Sequence, residues 1–213
     1  MNKKNDYVEL KQCTQQQVDA VILAGGKAQA MQGMNKLLQK FGNQIQLLKL
    51  HRILKTRTAN VMISSHRDHS IYKSFIPHIQ CFKDDIAGSK GALVGMKTAW
   101  RYTHKDYIFF VPCDIAVLPK SLLIQLFKRM QRHSRADVCY AVINDEAVYS
   151  LCLMHRRALV QVNRHVEQEQ YSLKQCYGQL HSLVYRLTIP GQLFNHIKTL
   201  SQWQQFNQIQ AIQ

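Results

Sequence analysis

The chain is short of acidic residues. Thirteen Asp and Glu stand against 28 Lys and Arg, giving a formal net charge of +15 and a pI of about 9.7. So basic a balance favours anionic partners: nucleic acid, nucleotides, phosphorylated metabolites or an acidic membrane surface. Charge alone does not choose among them. Other absences narrow the field. No apolar run approaches the ~18 residues of a membrane span. Met1 to Lys11 is polar and lacks the apolar core of a signal peptide. Both readings predict a cytoplasmic protein with no membrane partner. The six cysteines contain no CxxC pair, and the ten histidines contain no HxxxH or HExxH pair. Structural and catalytic zinc are therefore not expected, and buried thiols are. There is no repeat at solenoid periods. No RRM, KH or zinc-finger signature supports binding of nucleic acid.

What is present fits a folded α/β chain. Of 213 residues, 46% are apolar, enough for a sizeable core. We expect one domain over 1–213, with an N-terminal tail over about 1–15 and a C-terminal tail over about 207–213. Buried strands are predicted at 18–23, 60–64, 106–111 and 137–143, where the apolar runs are short and continuous. Further strands are expected at 148–154 and 182–187. Apolar residues at 47, 50 and 54, with others at 48 and 53, predict a helix over 45–54. Helices are also expected over 93–102 and 122–131, the second with Ser121 as N-cap. A final helix is expected from Gln202. Alternating strands and helices imply a three-layer α/β/α architecture with a mostly parallel sheet. Ligands of such sheets bind at the carboxyl ends of strands near the topological switch point. The loops after Leu23 and Val111 fall at such ends.

Three motifs carry candidate chemistry. In "LAGGKAQAMQGMNK", Gly25 and Gly26 have no side chains to hold a phosphate away from backbone N–H groups. Lys36 and Lys27 are the candidate counter-charges, and an ordinary turn with solvated lysines is the plainer reading. The loop fits neither the GxGxxG nor the GxxxxGK[ST] pattern. In "VPCDIAVLP", Asp114 directly follows a buried strand. It suits Mg²⁺, which takes one or two carboxylates and the phosphates of a substrate, or else it caps a turn. Cys113 reads as a packing residue rather than a nucleophile. In "DDIAGSKGALVGM", Gly88, Gly91 and Gly95 surround a helix start. Gly91 would let a base or ribose approach the backbone, and Gly95 would serve close helix packing. Asp84 would accept hydrogen bonds from a base or ribose, or sit solvated in a turn.

In this order the motifs resemble the molybdenum cofactor guanylyltransferases of the MobA type. The family's opening motif appears as Leu23-Ala24-Gly25-Gly26, then Met31, Gly33 and Lys36. Its glycine turn appears as Gly91-Ala92-Leu93-Val94-Gly95, and its P-C-D motif as Pro112-Cys113-Asp114. The resemblance implies a Rossmann-like nucleotidyltransferase fold, and transfer of GMP from GTP to molybdopterin with release of pyrophosphate. It implies Mg²⁺ as cofactor, and molybdoenzymes or their chaperones as further partners. Carried over by position, Leu23, Ala24, Gly25 and Gly26 would hold the nucleotide, with Lys36 beside its phosphates. Asp84 and Gly91 would lie in the guanine and ribose region. Asp114 would hold the metal, and Lys36 and Asp114 would be the catalytic pair. The chain departs from the pattern at Ala30, which replaces an arginine, at Gln32, which replaces a glycine, and at Asn35, which replaces an aspartate. His196 and Lys198 replace two C-terminal asparagines, and Leu200 replaces a proline. An arginine on a transferring phosphoryl group is worth ~10³-fold or more in rate. Ala30 therefore calls for another cation, with Lys27 nearest in sequence. The alternative is a non-catalytic relative, one altered in substrate to CTP or another phosphorylated acceptor, or a partner protein that binds a nucleotide or the cofactor.

Overall fold

The computed structural model describes residues 3–25, 31–86, 90–191 and 193–212. Gly26, Lys27, Ala30 and Gly88 lie outside the described residues. A seven-stranded sheet organises the rest. Strand β1 (Val18–Leu23) is the clearest case of sequence dictating structure. It is buried on both faces, so its side chains need no polar alternation. Val18, Ala20 and Ile22 enter one core, and Val21 and Leu23 enter the other. Strand β6 (Tyr107–Pro112) repeats the pattern, with Phe109 and Val111 on one side and Ile108 and Phe110 on the other.

Strands β4 (Val61–Ser64) and β5 (Gln80–Phe82) extend the sheet beyond β1. Strands β7 (Val138–Ile143), β8 (Glu146–His155) and β9 (Ser182–Leu187) extend it beyond β6. The strand order is β5-β4-β1-β6-β8-β7-β9. Only β8 runs against the others. After β1 the chain moves outward to β4 and β5, then returns to the other side of β1 for β6. The switch point therefore lies between β1 and β6. Helices α2 (Gln46–Leu54), α3 (His69–Phe75) and α5 (Leu122–Arg132) cover one face. Helices α4 (Ala92–Ala99), α6 (Leu159–Glu167) and α7 (Leu173–Gly178) cover the other. A small hairpin, β2 (Lys40–Phe41) with β3 (Gln44–Ile45), packs under helix α8 (Leu200–Ile212).

The predicted strands and helices are all present, with shifted ends. Ile45 belongs to β3, so α2 starts at Gln46. Ser121 occupies the N-cap of α5 but makes no side-chain cap bond, since its backbone is in the helical region (φ -86°, ψ -10°) rather than the extended one from which a cap side chain reaches the N2 and N3 amides. The N-terminal segment read as a tail is instead helix α1 (Lys3–Gln17), which packs along α5. Its apolar spacing is weak, so no amphipathic stripe announces it. The C-terminal segment likewise continues as helix to Ile212, where Asn207 receives the N–H of Gly42 at 2.8 Å. The β7–β8 turn places Asn144 and Asp145 at positive φ, the geometry of a tight two-residue hairpin.

At the amino end of β1 the Asp19 carboxylate is buried. It accepts from the Asn60 backbone at 3.0 Å, from the Asn60 side chain at 2.9 Å, and from the hydroxyl of Thr103. This joins β1 to the segments preceding β4 and β6. Asp19→Ala orphans the buried donors, and we expect a loss of about 1–3 kcal/mol for such a group. Urea unfolding followed by circular dichroism measures it, and an unchanged midpoint would show the network to be dispensable.

Candidate active site

The carboxyl ends of β1, β4 and β6 open into one cleft of about 560 Å³. The backbone holds these ends together beyond the strands. Ala24 N–H donates to Ser64 O at 2.8 Å, and Cys113 N–H donates to Leu23 O at 3.0 Å. Leu23, Ala24, Gly25 and Lys36 line the cleft from the β1 side, and Asp114 lines it from the β6 side. Asp84 and Gly91 complete the set brought together from sequence. Gly26, expected with them, lies outside the described residues.

Lys36 and Asp114 meet directly. Nζ lies 3.0 Å from Oδ2, although 78 residues separate them. The loop that presents Lys36 is pinned by Asn35. Its Oδ1 accepts the N–H of Leu37 at 3.0 Å, and its Nδ2 donates to Asp68 at 2.6 Å and to the Tyr72 hydroxyl at 2.7 Å. An aspartate at 35 would oppose the Asp68 carboxylate. The departure from the family pattern at this position is thus matched by its surroundings. The other oxygen of Asp114 is 3.0 Å from His196 Nδ1. Burial alone would raise the Asp114 carboxyl. The hydrogen bond from His196 and the charge of Lys36 outweigh burial and hold it below the usual carboxylate range. Burial, with Asp114 adjacent, pushes the Cys113 thiol up to about 12. That thiol stays protonated near neutrality, which agrees with packing rather than nucleophilic attack.

Asp84 is in the wall rather than the solvent, at 6% side-chain exposure. Ser64 Oγ donates to its Oδ1 at 3.0 Å, and His66 Nε2 is 3.1 Å from its Oδ2. Gly91 is the N-cap of α4 with φ of 93°, a conformation that favours glycine. Gly95 permits the close approach of α4 to β4. A Cβ there would stand 2.8 Å from Ser64 Oγ and 3.1 Å from Asp84 Oδ1.

Sequence reading missed several residues of the cleft. Ser64 ends the buried strand β4 and Arg67 follows it, as Gly25 and Asp114 follow β1 and β6, so the strand-end rule that flagged those two would have found them. Arg67 donates to Gly33 O at 2.9 Å and lines the β1 side. Tyr171 and Lys174 line the far side. They carry no local signal, since only the folding back of α6 onto α7 brings them there. Among the described residues no group of three or more His, Cys, Asp or Glu converges on a metal position.

A mostly parallel sheet between helical layers, with a cation-lined cleft at its switch point, defines an α/β nucleotidyltransferase. The same fold occurs in molybdopterin-guanine dinucleotide biosynthesis protein A from Archaeoglobus fulgidus, with a TM-score of 0.71 at 14% identity over 92% of this chain and all of that one. It also occurs in a CMP:2-keto-3-deoxy-manno-octonic acid synthetase complexed with CTP, with a TM-score of 0.65 at 10% identity over 92% and 98%. In sequence, residues 20–183 match the MobA-like NTP transferase domain. The molybdenum cofactor guanylyltransferase of Acinetobacter baumannii (strain ACICU) is 41% identical over 193 residues, covering 91% of this chain and 92% of that protein. The enzyme of that name from Pasteurella multocida (strain Pm70) is 35% identical over 136 residues, 63% and 70% of the two chains. The chain belongs to the MobA-like NTP transferase family.

The contact at Gly95 yields a test. Alanine there gains about 1 kcal/mol in helix propensity, while overpacking against Ser64 and Asp84 costs about 1–3 kcal/mol. We expect Gly95→Ala to lower the thermal midpoint, and the double variant with Ser64→Ala to recover part of the loss. A midpoint above that of the parent would show that α4 is not pressed against β4.

Proposed function

We propose that the chain transfers GMP from GTP to molybdopterin and releases pyrophosphate, in the cleft at the ends of β1 and β6. The observation that carries this reading is the Lys36–Asp114 pair beside the backbone at Gly25, in a chain of this family. The names of its relatives support guanine as the base and the molybdenum cofactor as the acceptor.

The chemistry needs alignment and neutralised charge more than a covalent nucleophile. A phosphate oxygen of molybdopterin attacks the α-phosphorus of GTP. The bond from that phosphorus to the α,β-bridging oxygen breaks, and pyrophosphate leaves with the electron pair. The attacking phosphate is already anionic, so no base is required. In this reading the backbone of Leu23, Ala24 and Gly25, continued by Gly26, holds the nucleotide. The ammonium of Lys36 meets its phosphates. Asp84 and Gly91 border the guanine and ribose. Arg67 and Lys174 add positive charge at the two sides of the cleft, and Arg67 offers the guanidinium that Ala30 lacks.

Asp114 suits a divalent cation, read from the family as Mg²⁺. Its carboxylate lines the cleft, and one carboxylate with substrate phosphates is a usual Mg²⁺ donor set. When bound, such an ion would neutralise phosphate charge.

Purified protein supplied with GTP, Mg²⁺ and molybdopterin should form the guanine dinucleotide and one pyrophosphate per product. CTP should support less turnover. Lys36→Ala should lower kcat/KM by about 10²–10³-fold while the far-ultraviolet circular dichroism is unchanged. Absence of pyrophosphate release with every nucleotide would overturn the reading.

A further inference from the structure

Asp114 has a second neighbour, and it stands where the family pattern carries an asparagine. His196 Nδ1 lies 3.0 Å from Asp114 Oδ1, and both side chains line the cleft with exposures of 12% and 20%. The backbone locks the two together. Ile197 N–H donates to Asp114 O at 2.8 Å, Ala116 N–H donates to Asn195 O at 3.0 Å, and a bridge joins Ile115 to His196. No reordering is needed to make the side chains converge. Lys36 takes the other carboxylate oxygen, which leaves Oδ1 and Nδ1 as a pair on the remaining side.

Two donors bonded side by side to one ion at about 2.1 Å stand about 3.0 Å apart. The observed separation fits that spacing. Nearby groups are committed elsewhere. Asp84 Oδ1 receives Ser64 Oγ at 3.0 Å and its Oδ2 stands 3.1 Å from His66 Nε2, and Glu146 Oε2 receives Asn195 Nδ2 at 2.9 Å.

We propose that Asp114 Oδ1 and His196 Nδ1 together ligate the divalent cation of this chain, and that this oxygen–nitrogen pair takes Mn²⁺ ahead of Mg²⁺. Mg²⁺ selects oxygen donors, whereas imidazole nitrogen favours first-row transition ions. Phosphate oxygens and water complete the shell. The presence of the ion rests on the nucleotidyl-transfer reading above. The nitrogen ligand is the new element. The competing account is that His196 only donates a hydrogen bond to Asp114, with the ion held through oxygen alone.

Pulsed electron paramagnetic resonance separates the two. The probe is Mn²⁺ bound to the protein with α,β-methylene-GTP, which cannot transfer its nucleotidyl group. Protein with natural histidine is compared with protein carrying ¹⁵N-histidine. We expect an imidazole nitrogen coupling that changes with the isotope, a result that needs no variant. Bound Mn²⁺ with no isotope-dependent coupling would overturn the proposal. Calorimetry of Mn²⁺ and Mg²⁺ binding to the nucleotide complex should show His196→Asn losing about tenfold of the preference for Mn²⁺. An unchanged preference would count against it equally. If Asp114→Asn binds Mn²⁺ with the affinity and spectrum of the parent, the ion is not at Asp114, and its placement under the proposed function fails as well.

Discussion

A single carboxylate at the end of β6 ties the site together. Asp114 meets Lys36 through one oxygen and His196 through the other, each at 3.0 Å. These partners come from the loop after β1 and from the segment before α8, far apart in sequence. Removing either one would leave a largely buried charge short of compensation, which is costlier than leaving it exposed. The backbone supports the same junction, since Asp114 O receives the N–H of Ile197. The carboxylate therefore positions the residues around it as much as they position it.

Around this junction the cleft divides into two sides. On one, the backbone at Gly25, the Ser64–Asp84–His66 wall and the N-terminus of α4 are packed closely enough that Gly95 has no room for a Cβ. On the other, Tyr171, Lys174 and the first residues of β8 form the lining. The first side is built from the parallel half of the sheet. The second depends on the antiparallel hairpin β7–β8, whose Asn144-Asp145 turn sends β8 back alongside β6. The cleft is thus assembled from the two halves of the sheet. The departures from the family pattern within it are not equivalent. Asn35 is satisfied by Asp68 and Tyr72 and holds a loop, whereas His196 changes the chemistry available beside Asp114.

Much of this architecture was legible in the sequence because the strands are buried on both faces. A run such as Tyr107–Val111 can be read from composition alone, since both of its faces need apolar side chains. Sheet ends were legible for the same reason, and with them Gly25 and Asp114, while Lys36 was read as a counter-charge beside the glycine pair and from the family motif. Helix α1 was not legible, because its polar sequence carries no stripe for a core. Ser64 and Arg67 were within reach of the strand-end rule and were overlooked. Tyr171, Lys174 and the role of His196 were out of reach. Each depends on a contact between segments with no shared local pattern.

The sequence by itself determined the alternation of elements, the mostly parallel sheet and the position of its ligand edge. These follow from hydrophobic periodicity and short-range backbone preference, which act over a few residues. Tertiary structure decided which side chains meet at that edge. The pairing of Lys36 with Asp114 spans 78 residues, and that of His196 with Asp114 spans 82. Such pairings depend on strand order, on the switch between β1 and β6, and on the return of the chain past Ile115. No local property of the sequence encodes them, because they exist only once the sheet has formed.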